Sequence, residues 1–269
     1  MGSSITIPDA AVVPASPLRR PARIPLTIVI PTLNEAPRLG ELLETLDWAD
    51  EVIVADGGSS DETAAVARRH GARVLDCAAT TIASQRNRAI AAARNEWVFA
   101  LDADERISEQ LRDDLAATVR RPAHRAYRVR RQNFFLGRER RHGRWGRDWQ
   151  VRLFTRDQRF VATTVHEHLE AVSDTGSLNG LLVHVPYRNL RHQLDKLAMY
   201  ALWGAEDLAR RGRRTTVWEL SARPVWRFLR DYLLYANCLD GAFGLLTSVL
   251  SAYACFLKYA ALWEIRNKR

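Results

Sequence analysis

Leu26-Thr-Ile-Val-Ile30 is a continuous, β-branched run of the kind found in strands buried on both faces. The pattern then changes period. Leu39, Leu42, Leu43 and Leu46 share one helical stripe over residues 35–46, and Pro37 is tolerated in the first turn. Glu51-Val-Ile-Val-Ala55 is a second buried strand, Gly57-Gly58 a turn, and Ser60-Asp-Glu-Thr63 a helix start with an N-cap signature. Arg73-Val-Leu75 predicts a third strand, residues 81–93 a helix, and 97–101 a fourth strand. This β-α-β-α-β-α-β series predicts an α/β domain with a mainly parallel sheet, flanked by helices and joined by right-handed crossovers.

Past Glu105 the regularity is lost. Residues 108–119 predict a helix, and 126–133, 150–154, 160–169 and 181–185 predict strands. From Leu190 onward the chain reads as helical. Leu194, Leu197, Ala198, Ala201 and Leu202 form one stripe, a second helix is expected to start near Pro224, and a third over 244–265. The uncharged run from Gly241 to Leu257 falls short of the ~20 residues of a spanning helix. Arg227, Arg230, Lys258 and Arg266 flank it together with Trp226, Tyr232, Tyr235 and Trp263. That mixture suits either a helix lying in a membrane interface or a hairpin packed on the main domain or a second subunit. The expected organisation is a disordered lead-in over 1–24, a domain over 25–188 and a helical C-terminal region over 189–269.

Composition narrows the chemistry. The chain has 269 residues, 47% of them hydrophobic and 26% charged, as in a folded globular protein. Its net charge of +9 favours anionic partners such as nucleic acid, phosphorylated sugars or anionic lipid. Cys77, Cys238 and Cys255 are far apart and form no CxxC pair, so they read as reduced thiols of a cytosolic protein. The first 23 residues lack the charged start and apolar core of a secretory signal.

Ligands of parallel sheets bind beyond the carboxyl ends of the strands. Three polar clusters fall there: Pro31-Thr-Leu-Asn-Glu35, Asp56-Gly-Gly-Ser-Ser60 and Asp102-Ala-Asp104. Two carboxylates at alternate positions just past a strand end can offer oxygens to one hard cation, Mg²⁺ or Mn²⁺. A cation held by so few protein groups completes its shell with water and phosphate oxygens, which points to a diphosphate. The turn after the first strand has no glycine, so a dinucleotide-binding reading is disfavoured, and no P-loop lysine motif is present. His166-Glu167-His168 lacks the spacing of a zinc protease helix. Arg128, Arg130, Arg131, Arg138, Arg140 and Arg141, with Arg144 and Arg147, crowd one segment near Phe134, Phe135 and Trp145. That segment suits an acceptor loop for a phosphorylated glycan or an anionic membrane surface, a site for single-stranded nucleic acid, or a solvated strand face with its charges outward.

In combination the motifs resemble family-2 glycosyltransferases of the GT-A fold. They are Ile30-Pro-Thr-Leu-Asn-Glu35, Val54-Ala-Asp-Gly-Gly-Ser-Ser-Asp61, Ala83-Ser-Gln-Arg-Asn87, Leu101-Asp-Ala-Asp104, Trp149-Gln-Val-Arg-Leu-Phe154 and Val165-His-Glu167. The nearest subgroup is similar to lipopolysaccharide-core β-glucosyltransferases. The resemblance implies that Pro31, Thr32, Glu35 and Asp56 contact the base and ribose of a nucleotide-sugar, Arg86 the diphosphate, and Asp102 the ribose and metal. It makes Asp104 the more direct metal ligand, with His166 or His184 as a further one. Glu167 matches the catalytic base and Asp148 is the alternative, while Trp149 and Arg152 fall on the acceptor and phosphate side.

The function implied is an inverting, metal-dependent transfer of a hexose from a nucleotide-sugar, UDP-linked by resemblance. The acceptor would be a glycan or lipid-linked molecule such as lipopolysaccharide core, at the inner face of the cytoplasmic membrane. An anionic membrane surface is an expected partner and nucleic acid is not. The alternatives are transfer to polyprenyl phosphate, or a non-catalytic anionic-lipid or nucleic-acid binding module on the same fold.

Overall fold

The structure, a computed structural model, describes residues 23–267 apart from 79, 144, 145, 147, 162–167 and 171. The first strand, β1 (Ile24–Thr32), lies at the centre. Leu26, Ile28 and Ile30 enter one core layer and Val29 the other, as period-2 alternation in a doubly covered strand requires. After β1 come α1 (Ala36–Leu43), β2 (Ala49–Asp56), α2 (Thr63–Arg69), β3 (Arg73–Asp76), α3 (Ile82–Ala92) and β4 (Trp97–Ala100). Strands β3, β2, β1 and β4 are adjacent and parallel. Leu39, Leu42 and Leu43 of α1 and Ala67 of α2 pack on the Leu26/Ile28/Ile30 face. Ala83, Ala89 and Ile90 of α3 cover the other, where Val29, Ile53 and Val98 lie. Each fully buried aliphatic side chain here contributes about 1.5–3 kcal/mol.

The chain order then folds back across the sheet. β5 (Glu105–Ile107), α4 (Glu109–Arg120), β6 (Ala126–Phe135), β7 (Arg138–Glu139), β8 (Asp148–Thr155), β9 (Phe160–Val161), β10 (His168–Leu169) and β11 (Thr175–His184) follow. The main sheet runs β3-β2-β1-β4-β8-β6-β11-β5. β8 is antiparallel to both β4 and β6, and β11 is parallel to β6 and antiparallel to β5. The sheet is therefore parallel in its first half and mixed in its second. Of the strand expected over 160–169, the described residues form two short strands, β9 and β10, paired antiparallel with each other off the main sheet. β11 carries a bulge between Ser177 and Leu181. Asp114 Oδ2 on α4 accepts from the Asn179 and Gly180 amides at 2.9 and 2.8 Å, and Ser108 Oγ from the Leu181 amide at 3.1 Å. The backbone donors that the bulge takes out of the ladder are thus satisfied by α4.

The C-terminal region comprises α5 (Leu190–Arg210), α6 (Val217–Leu229), a π-helical turn (Arg230–Leu234), a 3-10 turn (Asn237–Asp240) and α7 (Gly241–Asn267). α6 starts seven residues before Pro224, not at it. A capping box joins Thr216 and Glu219, and Pro224 is carried inside the helix. α7 runs straight through Lys258, so it is longer than the uncharged run suggested. Phe135 of β6 packs with Phe243 and Leu250 of α7, joining the sheet to the tail.

Candidate active site

The carboxyl ends of β1, β2 and β4 bring their loops to one rim. The first two loops are stitched together. Asn34, at φ +57°, accepts from the Ser60 amide at 2.8 Å, and Ser59 Oγ accepts from the Asn34 amide at 2.9 Å. A Cβ at Gly57 would lie 2.6 Å from the Gln85 side-chain nitrogen and 3.2 Å from the Thr32 carbonyl oxygen, so a larger residue there would displace Gln85. Asp56 is turned onto its own loop, accepting from Ser59 Oγ at 2.5 Å and from the Ser59 amide at 3.2 Å. Pro31 pairs in register with Ala55. Thr32 Oγ1 and Glu35 Oε2 are both buried without a hydrogen-bond partner. Around Glu35, Arg38, Arg188 and Lys196 stand at 3.9–4.0 Å. Arg38 and Arg188 stand against Oε2 and Lys196 against Oε1, all beyond hydrogen-bond length, which leaves Oε2 with acceptor capacity unused within the chain.

Asp102 and Asp104, two residues apart, have different surroundings. Arg86 Nη2 donates to Asp102 Oδ1 at 2.5 Å and Arg152 Nη2 to Oδ2 at 2.9 Å. Burial pushes the Asp102 carboxyl up, but the two guanidinium groups outweigh it and hold it far below the usual carboxylate range. Arg86 is further fixed over the Phe160 ring, 4.9 Å from its centroid. Glu105, fully buried, accepts from Arg152 at 2.6 Å and Arg131 at 3.3 Å, and its other oxygen accepts from the Asp102 amide at 3.0 Å. Desolvation nonetheless raises its carboxyl above the ordinary value.

Asp104 Oδ2 faces His184 Nε2 at 3.6 Å and Arg38 Nη1 at 3.8 Å. Burial raises its carboxyl, and His184 more than compensates, so the net direction is down. A hydrogen-bond relay fixes how His184 is presented. Asp148 is held below the carboxylate range, its burial being outweighed by Arg131. Ionised, it can only accept, so the Asn133 amide nitrogen must face it, at 3.2 Å. Asn133 Oδ1 is then left to accept from His184 Nδ1, at 2.6 Å. The ring nitrogen that carries a lone pair in the neutral tautomer is Nε2, the one turned to Asp104. The contact is satisfied either by a proton on Nε2, through which His184 lowers the Asp104 carboxyl, or by a cation shared between the two groups. Imidazole nitrogen plus carboxylate, with the imidazole oriented by a second hydrogen bond, is a donor set that fits a divalent metal.

Trp149 does not join this group. It lies on the opposite face of β8 from Arg152, 43% exposed, with Arg128 over its ring at 5.1 Å. The basic segment is likewise divided: Arg131 points to Glu105 and Asp148, whereas Arg128 bonds Ser177 Oγ. Glu167, His166, Arg144, Trp145 and Arg147 lie outside the described residues. Among the described residues no group of three or more metal-ligating side chains forms. Sequence reasoning passed over Glu105, Asn133, Arg38 and Lys196. The only local signal was the acidic residue directly after Asp104, since the other three reach the rim through strand register and helix packing.

This architecture is that of an α/β enzyme that binds its ligand beyond the carboxyl ends of its parallel strands. The chain belongs to glycosyl transferase family 2, whose model matches residues 27–169. It is 27% identical over 259 residues to the lipopolysaccharide core biosynthesis glycosyltransferase LpsC of Rhizobium meliloti, covering 90% of this chain and 93% of that one. It is 24% identical over 257 residues to an uncharacterized glycosyltransferase of Rickettsia typhi, covering 90% and 88%. Among solved structures, S. aureus TarS 1–349 in complex with UDP-GlcNAc aligns over 91% of this chain and 92% of that one, with 14% identity and a TM-score of 0.47.

Proposed function

We propose that this family 2 glycosyltransferase moves a hexose, with inversion, from a UDP-sugar to a glycan or lipid-linked acceptor of the lipopolysaccharide-core type, at a membrane surface. The observation that carries the reading is the pairing of Asp104 with His184 through the Asn133 relay. These two side chains would hold a divalent metal, Mn²⁺ or Mg²⁺. Bound there, the metal would act as a Lewis acid that neutralises charge on the diphosphate.

The remaining roles belong to the chain itself. Thr32 Oγ1 and Glu35 Oε2, the two unbonded acceptors of the first loop, suit an imide N–H and a ribose hydroxyl, with Pro31 shaping the loop and Asp56 beside it. Arg86 is oriented by Asp102, and Arg152 by Asp102 and Glu105, so a diphosphate would meet pre-placed guanidinium groups. Glu167 is assigned as the base. As the acceptor oxygen bonds to the anomeric carbon, the bond from that carbon to the diphosphate breaks and the hydroxyl proton passes to Glu167. Asp148 is the weaker candidate, because a carboxylate held acidic and bonded by Arg131, Asn133 and Gln150 is a poor proton acceptor. The LpsC relative supports the acceptor class.

A thermal-shift panel of UDP, ADP, GDP and CDP, each with and without Mn²⁺, tests the donor and the metal. A UDP-selective, Mn²⁺-dependent rise in melting temperature is expected. No rise with any nucleotide overturns the donor reading, and a UDP rise indifferent to Mn²⁺ overturns the metal. Glu167→Gln should keep the UDP shift while lowering turnover by about 10²–10⁴-fold. Turnover near the native rate would shift the base to Asp148.

A further inference from the structure

Helix α6 and the turn after it direct a row of charged side chains inward. Glu219, Arg223, Arg227 and Asp231, spaced four apart, form a polar column that bonds inward. Arg227 donates to Asp231 at 2.9 Å and to Ser251 Oγ at 2.8 Å, Ser251 donates to Asp231 at 2.6 Å, and Arg223 donates to the Tyr259 hydroxyl at 2.8 Å. The apolar side chains of the same segment face out. Trp218, Val225, Trp226, Leu229 and Leu233 recur at helical spacing and are exposed, Trp218 at 76% and Trp226 at 58%. No residue of α6 is buried. A second exposed stripe, Leu245, Val249, Tyr253 and Phe256, runs along α7. An amphipathic helix in water turns its apolar stripe to the core, and here the polar column has taken that place.

We infer that the outer face of α6 and the π-helical turn after it is a docking surface for an anionic bilayer, with the helix lying in the plane of the membrane and Trp218 and Trp226 at headgroup depth. Charge selects a bilayer as the occupant. Residues 189–269 carry thirteen Lys and Arg against seven Asp and Glu, a net +6 of the chain's +9. Arg213 and Arg223 pair with Glu219 and keep their side chains about half exposed, at 54% and 44%. Tryptophan and arginine around an exposed aliphatic stripe is the composition of an interfacial helix. A second copy of the chain would carry the same positive charge to the contact and be repelled.

The segment Asn237–Asn267 is long and apolar enough to cross a membrane by length and composition. Its packing favours the in-plane arrangement. Tyr259, Ala261 and Leu262 of α7 form a buried cluster with Ala205 of α5, and Ser248 and Ser251 bond Asn237 and Asp231. A spanning α7 would give up those contacts. The inference rests on the proposed acceptor only for its purpose, that of bringing the rim to a lipid-borne substrate.

The test uses the full chain without nucleotide or metal, so its failure leaves the donor reading intact. Co-sedimentation is measured with phosphatidylglycerol–phosphatidylcholine vesicles and with phosphatidylcholine alone. The native chain should bind the anionic vesicles. Trp218→Ser/Trp226→Ser/Leu233→Ser should bind at least about tenfold more weakly at an unchanged melting temperature, since all three side chains already face out. Three results would overturn the inference: no vesicle association by the native chain, equal binding by the triple variant, or a native dimer in sedimentation velocity that the triple variant abolishes. Retention of the chain in cell membranes after an alkaline carbonate wash would assign a spanning helix in its place.

Discussion

Asp102 and Asp104 share a backbone path and little else. Arg86 and Arg152 occupy both oxygens of the first, while the second meets His184 and Arg38 only at 3.6 and 3.8 Å. Amide substitution separates the two. Asp102→Asn strips the counter-charge from two buried guanidinium groups. With the carboxylate 27% exposed and Glu105 still beside Arg152, the cost should be about 3 kcal/mol, the low end for breaking a buried pair, read by urea denaturation. Asp104→Asn should cost under about 1 kcal/mol and abolish the Mn²⁺-dependent UDP shift. The pH dependence follows from the same contact. The Asp102 carboxyl is lowered on folding, so its contribution is present above the unfolded value of about 3.9 and drains away as pH falls toward the folded value far below. Native stability should therefore fall between pH 5 and pH 3 more steeply than that of Asp102→Asn. An equal slope in the two proteins would remove Asp102 from the linkage. The acidic pair is visible in the sequence, but its division of labour is not. That depends on arginines 16 and 50 residues away, the first brought in by α3 packing on the sheet and the second by β8 pairing with β4.

Elements with both faces buried were readable from pattern alone. β1, β2 and β4 are built around apolar runs, and α1 between the first two repeats at 3.6 residues, because a doubly covered sheet favours apolar side chains; Thr27 and Glu51, buried among them, hydrogen-bond each other. Where one face meets solvent or a bulge intervenes, the pattern thins. β5 and β7 are three and two residues long, too short to show a period. α6 begins seven residues before the boundary that Pro224 suggests, where Thr216 and Glu219 spell a capping box. The contact of α4 with β11 shows how tightly such elements are fitted. A Cβ at Gly180 would lie 2.3 Å from the backbone of Leu111, and no side-chain rotation relieves a clash with backbone. Gly180→Ala should destabilise by about 1–3 kcal/mol through overpacking, measured as a lower urea midpoint at constant m-value. An unchanged midpoint would mean that α4 can slide on the sheet.

At the scale of the whole molecule, the tail takes part in the site. α5 enters the catalytic rim at one end and packs on α7 at the other. Its Lys196 stands 3.9 Å from Glu35 and helps to hold the Asp104 carboxyl down, while Ala205 is buried against Leu262. The loop between β7 and β8 closes the arrangement from the other side: His142 pairs with Asp240 at 2.6 Å, and Gly143 comes so near Asn237 that a Cβ would lie 2.3 Å from its side-chain oxygen. A cation lent by the C-terminal helices to a site made by the N-terminal sheet should matter to an anionic donor more than to folding. Lys196→Gln removes a charge that is 3.9 Å from its nearest carboxylate, a distance worth under about 1 kcal/mol to stability, so the melting temperature should barely move. Loss of a charged contact to a diphosphate costs about 1.5–3 kcal/mol, or about tenfold or more in UDP affinity by calorimetric titration. UDP affinity equal to that of the native chain would reduce α5 to a structural strut and leave donor binding to the sheet loops alone.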